Sequence, residues 1–249
     1  MSFNISSFFD STYLKTKEQS GLSDQEEMQF IKSFVLEAVE YRFKLVMIRS
    51  IHIPFVKEII AKHDSNVLVG TVVDFPNGDS STESKLDEIT NAINLGADDI
   101  DVVINYELFK KGYHDYIMNQ VKDCTALCLL NNKTIKWIIE SAALSDNDII
   151  DICQLIRDVV MNNFDQENIH NIFVKSSTGF YVSPESVQNG VTVSAIKLML
   201  DNSYPLPVKA SGGIRNIEDF KVMVDLGVKR IGTSSAFSIL QGKQSDSKY

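Results

Sequence analysis

Two lysines are the residues of this chain whose surroundings suit them to chemistry. Lys175 closes the apolar run Ile172-Phe173-Val174 and precedes Ser176-Ser177-Thr178-Gly179, and Lys209 follows Pro207-Val208 and precedes Ala210-Ser211-Gly212-Gly213-Ile214-Arg215. A lysine at the end of a buried strand meets a low dielectric, which disfavours its charged form. If the two strands are neighbours, their backbones lie about 4.8 Å apart and the two ammonium groups crowd each other. Either effect lowers an amine's pKa and frees it to attack a carbonyl. The pair therefore points to Schiff-base chemistry, and position alone leaves open which lysine is the nucleophile.

Asp101 lies in Asp98-Asp99-Ile100-Asp101-Val102-Val103, where strand alternation puts Asp99, Asp101 and Val103 on one face. A carboxylate among apolar residues is costly unless paired, and the two strand-end lysines are its candidate partners. Taken alone, Asp101 reads equally as a structural ion pair or as a catalytic group poised near neutral pH by burial. Three glycine-containing turns follow successive strands: Ser177-Thr178-Gly179, Gly212-Gly213-Ile214-Arg215 and Gly232-Thr233-Ser234-Ser235. Glycine lets a backbone approach an anion, and Arg215 adds a counter-charge. Together they point to a phosphate-bearing ligand.

Such residues must be held by strand ends, and the chain supplies them. Short β-rich runs at 44–48, 67–73, 98–103, 134–139, 172–176, 207–210 and 228–233 alternate with helical spacings such as Met28, Ile31, Phe34, Val35, Ala38 and Ile149, Ile152, Cys153, Ile156, Val160. A short strand near 8–12 makes eight. Ser23-Asp24-Gln25-Glu26 reads as a capping box, Asn216 as a helix start, and Ser183-Pro184-Glu185 as an N-cap before a first-turn proline. The polar stretch 162–168 reads as a surface loop. Strand–helix alternation over 249 residues predicts an α/β fold, a single (β/α)8 TIM barrel spanning 1–249 with a mobile tail at 242–249. Barrels of this kind place their sites at the carboxyl ends of the strands and often hold phosphate after strands seven and eight.

A net charge of −9 argues against nucleic acid as the main partner. No basic, apolar leader opens the chain and no run approaches a membrane span, so the expected location is the cytoplasm. Cys124, Cys128 and Cys153 form no disulfide framework, and with His52, His63, His114 and His170 they show no zinc-ligand spacing. They read as small buried side chains.

The strings Val174–Gly179, Val208–Arg215, Ala97–Val103 and Gly70-Thr71-Val72-Val73-Asp74-Phe75-Pro76-Asn77-Gly78, with Lys136-Trp137-Ile138-Ile139-Glu140 and Ile231–Ser235, resemble the deoxyribose-phosphate aldolase family in order and spacing. The resemblance implies a class I aldolase that reversibly cleaves 2-deoxy-D-ribose 5-phosphate into glyceraldehyde 3-phosphate and acetaldehyde. It implies no metal or other cofactor, since the protonated imine is itself the electron sink. Lys175 matches the imine-forming lysine, Lys209 the lysine that depresses its pKa and relays protons, and Asp101 the acid/base. Asp10 and Thr12 match a polar pair that orients sugar hydroxyls. Thr178, Gly179, Gly212, Gly213, Arg215, Gly232, Ser234 and Ser235 fall on the phosphate-binding turns. Family members are commonly homodimers, and the resemblance implies a role in deoxynucleoside catabolism.

Two positions depart from the family pattern. Phe180 stands where a phosphate-holding lysine is usual, which predicts weaker phosphate affinity, and Met47 stands where a cysteine is common, a change of volume in the pocket wall. Tyr249 is either a disordered end or a hydroxyl that a mobile tail brings in as a proton relay. The competing readings are an aldolase for a different or unphosphorylated aldehyde, motivated by Phe180, and a catalytically silent sugar-phosphate-binding barrel.

Overall fold

A computed structural model describes residues 4–182 and 190–244. Eight parallel strands close into a barrel in chain order: β1 (Phe9–Tyr13), β2 (Leu45–Ile48), β3 (Leu68–Val73), β4 (Asp99–Val103), β5 (Thr134–Ile138), β6 (Ile172–Lys175), β7 (Val208–Ser211) and β8 (Arg230–Thr233), which pairs back to β1. The outer ring holds α1 (Lys17–Ser20) and α2 (Asp24–Glu40) after β1, α3 (Ile53–Lys62) after β2 and α4 (Thr82–Leu95) after β3. It continues with α5 (Tyr106–Lys110) and α6 (His114–Leu130) after β4, and with α7 (Asp146–Asn163), α8 (Val193–Ser203), α9 (Ile217–Leu226) and α10 (Ala236–Leu240) after β5 to β8 in turn. The expected barrel and its eight strands are present, with strand ends displaced by one or two residues.

The helices start where short polar side chains satisfy first-turn N–H groups. Ser23 and Glu26 form the expected capping box at α2, Ser145 and Asp148 form another at α7, and Asn216 Oδ1 accepts from Asp219 N at 2.8 Å at α9. Ser183-Pro184-Glu185 lies outside the described residues. The next described helix, α8, is instead capped by Thr192, whose hydroxyl accepts from Ala195 N at 3.1 Å.

Two local expectations change. Residues 162–168 are not a plain loop: α7 runs through Asn163 and a 3-10 helix covers Gln166–Asn171. Polar composition marks exposure there, and exposure does not prevent helix. Met28 is exposed, whereas Glu27 turns inward to within 3.9 Å of His52. The tail residues 242–244 continue beyond α10 without regular structure, and Tyr249 lies outside the described residues.

The main core fills the layer between barrel and helices. On α7, Ile149, Ile152, Cys153, Ile156, Val159 and Val160 form one buried stripe, and burial of each such aliphatic side chain contributes about 1.5–3 kcal/mol. Cys124 and Cys128 share the inner face of α6, and burial pushes the Cys124 thiol up to about 12 and raises that of Cys128 further, so both stay protonated packing groups. Trp137 faces outward from β5, and its indole N–H donates to Thr125 Oγ1 at 3.1 Å. A second, smaller apolar cluster of Leu14, Leu45, Met47 and Val72 lies separate from this core. Among the described residues no helix is long and apolar enough to cross a membrane.

Trp137 is the chain's only tryptophan and is fully buried, so its fluorescence reports loss of the barrel wall. Ile156→Ala leaves a cavity between α7 and the barrel and is expected to lower the unfolding free energy by about 2–5 kcal/mol. Urea titration followed at Trp137 checks this, and an unchanged midpoint would contradict the packing described.

Candidate active site

Strand register assembles the charged residues. Lys175 pairs with Lys209, Lys209 with Arg230, and Asp101 with Lys136. Neighbouring positions in a parallel barrel turn the same way, so these side chains share the interior with Asp10 and Asp99. All seven are buried.

Asp101 is the hub. Its Oδ2 lies 2.8 Å from Lys175 Nζ and 2.7 Å from Lys209 Nζ, and its Oδ1 is 3.0 Å from Lys136 Nζ. Lys136 also reaches Asp99 at 2.6 Å, and Lys209 reaches Asp10 Oδ2 at 2.6 Å. Arg230 closes the circuit, donating from Nε to Asp10 Oδ1 at 2.6 Å and from Nη2 to Asp99 at 3.3 Å. Four cationic side chains thus face three carboxylates, and neutrality is reached when one cation loses its proton.

That cation is Lys175. Burial lowers its pKa; Asp101 pulls it back up, Lys209 and Lys136 push it down, and the result is about 8. Lys136 has the opposite fate: burial acts to lower it, but Asp101, Asp99 and Asp10 together hold it above the usual lysine range. Asp101 differs from expectation. Burial acts to raise its pKa, yet Lys136, Lys175 and Lys209 outweigh that and hold it well below the ordinary carboxylate range. The group that titrates near neutral pH is Lys175, and Asp101 stays an anion. Desolvation, more than the neighbouring Lys209, is what frees the amine.

Asp10 is fully buried, and its two oxygens face Arg230 and Lys209, so it belongs to the ion network around Asp101. Burial acts to raise its pKa, but Arg230, Lys209 and Lys136 hold it down. The Thr12 hydroxyl donates to the Asp10 carbonyl at 2.8 Å.

The three turns meet at the carboxyl end of the barrel. Gly212, with φ of 90°, has Gly190 Cα, Ser177 Cβ and Gly179 Cα at 3.5, 3.5 and 3.7 Å from where a Cβ would stand, so three backbones close on one point. Hydrogen bonds knit them: Ser176 Oγ donates to Ser211 O at 3.0 Å and Ser211 Oγ to Ser177 O at 2.5 Å. Gly213 is exposed beside them, and Arg215 is half-buried, with no hydrogen bond or ion pair to any described residue. Ser234 and Ser235 occupy the turn between β8 and α10. Gly232 also makes room for Lys209. A Cβ there would stand 3.1 Å from Lys209 Cε, so its missing side chain is the space through which Lys209 reaches Asp101.

Phe180 joins an apolar wall. Its ring meets Phe75 edge-on with centroids 5.1 Å apart, both pack on the cluster containing Met47, and the Arg49 guanidinium lies 5.3 Å from the centre of the Phe75 ring. Met47 is fully buried, as a filler of that wall, in contact distance of Gly70.

Lys136, Asp99, Arg230 and Glu140 belong to this region, although the sequence alone assigned them no role. The signal for Lys136 and Arg230 was the one used for Lys175, a charge in an apolar strand. Glu140 gives no such signal, since it lies beyond the end of β5.

The family model of the DeoC/LacD family aldolases matches residues 19–243. A deoxyribose-phosphate aldolase of Staphylococcus haemolyticus is 36% identical over 247 residues, covering 99% of this chain and 100% of that one. One from Staphylococcus epidermidis is 38% identical over 247 residues with the same coverage. Among solved structures, the aldolase QR15 superposes with a TM-score of 0.79 at 28% identity, covering 95% of this chain and 94% of its own. The tetrameric deoxyribose phosphate aldolase of Aeropyrum pernix gives 0.75 at 26% identity, covering 95% and 89%.

The Lys175 amine is neutral only above its pKa, so its reductive methylation by formaldehyde and borohydride is expected to rise with pH through about 8. Lys209→Met removes a like charge and also leaves Asp101 with fewer cations. Both effects favour protonated Lys175 and move the midpoint upward. Mass mapping at each pH reads the shift, and a midpoint that stays or falls contradicts the network.

Proposed function

The chain belongs to the DeoC/LacD family of aldolases, and on that premise we propose that Lys175 is the imine-forming residue of a class I deoxyribose-phosphate aldolase. The observation that carries the reading is a buried amine with a pKa of about 8, sharing Asp101 with Lys209 below three glycine turns. No metal is required by this chemistry, because the iminium supplies the electron sink.

In the cleavage direction the neutral Lys175 amine adds to the C1 aldehyde of open-chain 2-deoxyribose 5-phosphate. The carbinolamine loses water to give an iminium. Removal of the C3 hydroxyl proton breaks the C2–C3 bond, and its electron pair moves into the iminium to form an enamine. Glyceraldehyde 3-phosphate departs, the enamine takes a proton at C2, and hydrolysis releases acetaldehyde and the amine. Lys209 is the adjacent proton donor. Asp101, ionised and within hydrogen-bond distance of both amines, orients them and holds them within reach of one another. Lys136 is the fixed counter-charge that keeps Asp101 anionic.

At the other end of the substrate, Gly179, Gly212 and Gly213 offer backbone to the phosphate on turns that Thr178 helps to shape, with Arg215 as the cation, Gly232 near the end of β8 and Ser234 and Ser235 on the turn that follows it. A cytoplasmic role in deoxynucleoside catabolism, as a homodimer, goes with this reading.

The Phe180–Phe75 wall supports a second reading, an aldolase for a less charged acceptor aldehyde. Comparison of kcat/KM for deoxyribose with and without its phosphate separates the two, and Phe180→Lys is expected to lower KM for the phosphorylated sugar. An unchanged KM removes the idea that Phe180 weakens phosphate binding. For the imine itself, borohydride reduction with acetaldehyde is expected to place one adduct on Lys175. A folded protein without that adduct would instead be a silent binder.

A further inference from the structure

Glu140 lies two residues past β5 in a left-handed backbone conformation, φ 52° and ψ 64°, although it is not glycine. A residue with a Cβ in this region costs conformational energy and is held there by its surroundings. Its surroundings here are the turn after β6. Glu140 Oε2 accepts from Thr178 N at 3.0 Å and from the Thr178 hydroxyl, and that hydroxyl accepts in turn from Phe180 N at 3.0 Å. The next residue continues the link: Ser141 N donates to Ser176 O at 2.8 Å, and its hydroxyl lies 3.2 Å from that of Ser177.

The two carboxyl oxygens of Glu140 are unequal. Oε2 has two donors, while Oε1 is buried with no partner among the described residues, on a side chain that is 1% exposed. An ionised carboxylate spreads its charge over both oxygens and would leave half of it unsolvated. A protonated carboxyl leaves no net charge to desolvate and keeps Oε2 as the acceptor for Thr178, so burial favours the neutral form. The titratable groups facing it are Lys175 on β6 and Tyr106 on α5. Burial raises the Glu140 pKa against the Thr178 hydrogen bonds and the Lys175 charge, and the Tyr106 hydroxyl is pushed up to about 12 by its burial and by Glu140.

We propose that Glu140 is a positioning residue for the phosphate end of the substrate: it shapes the Thr178–Gly179 turn and carries a proton whenever a phosphorylated sugar is bound. This rests on the reading that the turn holds phosphate. A phosphate at that turn repels a carboxylate behind it, so the bound state favours the protonated side chain, and binding takes up a proton from solvent only at pH values where free Glu140 is ionised; no bond to the substrate is made or broken.

The test measures KM and kcat for deoxyribose 5-phosphate and for unphosphorylated deoxyribose, across acid to neutral pH, in the wild type, Glu140→Ala and Glu140→Gln. Loss of the acceptor in Glu140→Ala is expected to raise KM for the phosphorylated sugar about tenfold, with a much smaller change in kcat and in the unphosphorylated reaction. Glu140→Gln keeps an acceptor for Thr178 without a titrating group. It is expected to restore KM and to lose the rise of KM with pH that the wild type shows beyond the substrate's own ionisation. Equal losses on both sugars, failure of Gln to rescue, or identical pH profiles in wild type and Glu140→Gln overturn the proposal. If Glu140→Ala does not fold, Thr178→Val removes the hydroxyl donor to Glu140 while the Thr178 N–H bond stays, and it is expected to raise KM for the phosphorylated sugar more than for the unphosphorylated one, with equal losses again overturning the proposal. A wild type that forms the Lys175 imine yet treats both sugars alike removes the phosphate reading and this proposal with it, a result visible before any variant is made.

Discussion

One carboxylate, Asp101, organises the interior of the barrel. Lys136, Lys175 and Lys209 approach its two oxygens from three different strands, and none of the four side chains has appreciable contact with water. Charges so placed are tolerated only as a set, since removing one partner from a buried ion pair costs about 3–5 kcal/mol. Asp10, Asp99 and Arg230 complete that set. The same balance that makes the network stable leaves it one carboxylate short of neutrality, and the lysine with the weakest hold on its proton becomes the reactive one. Lys136 touches Asp99 and Asp101, and Lys209 touches Asp10 and Asp101, whereas among the described carboxylates Lys175 touches Asp101 alone. Stability and reactivity therefore have a common electrostatic origin.

The rest of the structure serves that arrangement. Parallel register sets Lys175 opposite Lys209 and Asp101 opposite Lys136 without any loop contributing. Gly232 leaves the room that the Lys209 stem needs, and the small residues after β6 and β7 let two turns and the residue-190 backbone meet above the amines. Phe75, Phe180 and Met47 belong to a separate apolar cluster with Leu45 and Val72. Glu140 ties the end of β5 to the turn after β6, so the strand that carries the nucleophile is joined to its neighbour beyond the end of the strand pairing.

Much of this was legible in the order of residues alone. Alternation of β-rich runs with helical spacing gives the barrel, because strand and helix periods differ and each element needs one apolar face. The caps at Ser23 and Asn216 were readable for the same local reason. Lys175, Lys209 and Asp101 stood out as charges where a strand pattern calls for apolar residues. Lys136 and Arg230 satisfy that criterion too, but an isolated charge in a strand has no identifiable partner until register is known. Exposure misled at Met28, where the helical stripe is broad, and at 162–168, where polarity marks solvent rather than the absence of helix.

What the chain determines by itself is therefore the set of elements, the strand ends that carry chemistry, and the kinds of side chain placed on them. These follow from periodicity and local hydrogen bonding, which act over a few residues. What only the tertiary structure decides is which group holds a proton. Lys175 and Asp101 were each plausible as the group poised near neutral pH, and the three lysines gathered on Asp101 assign that role to Lys175. A pKa is the sum of desolvation and charges within a few ångströms, and those charges come from residues separated by as much as 108 positions in the chain.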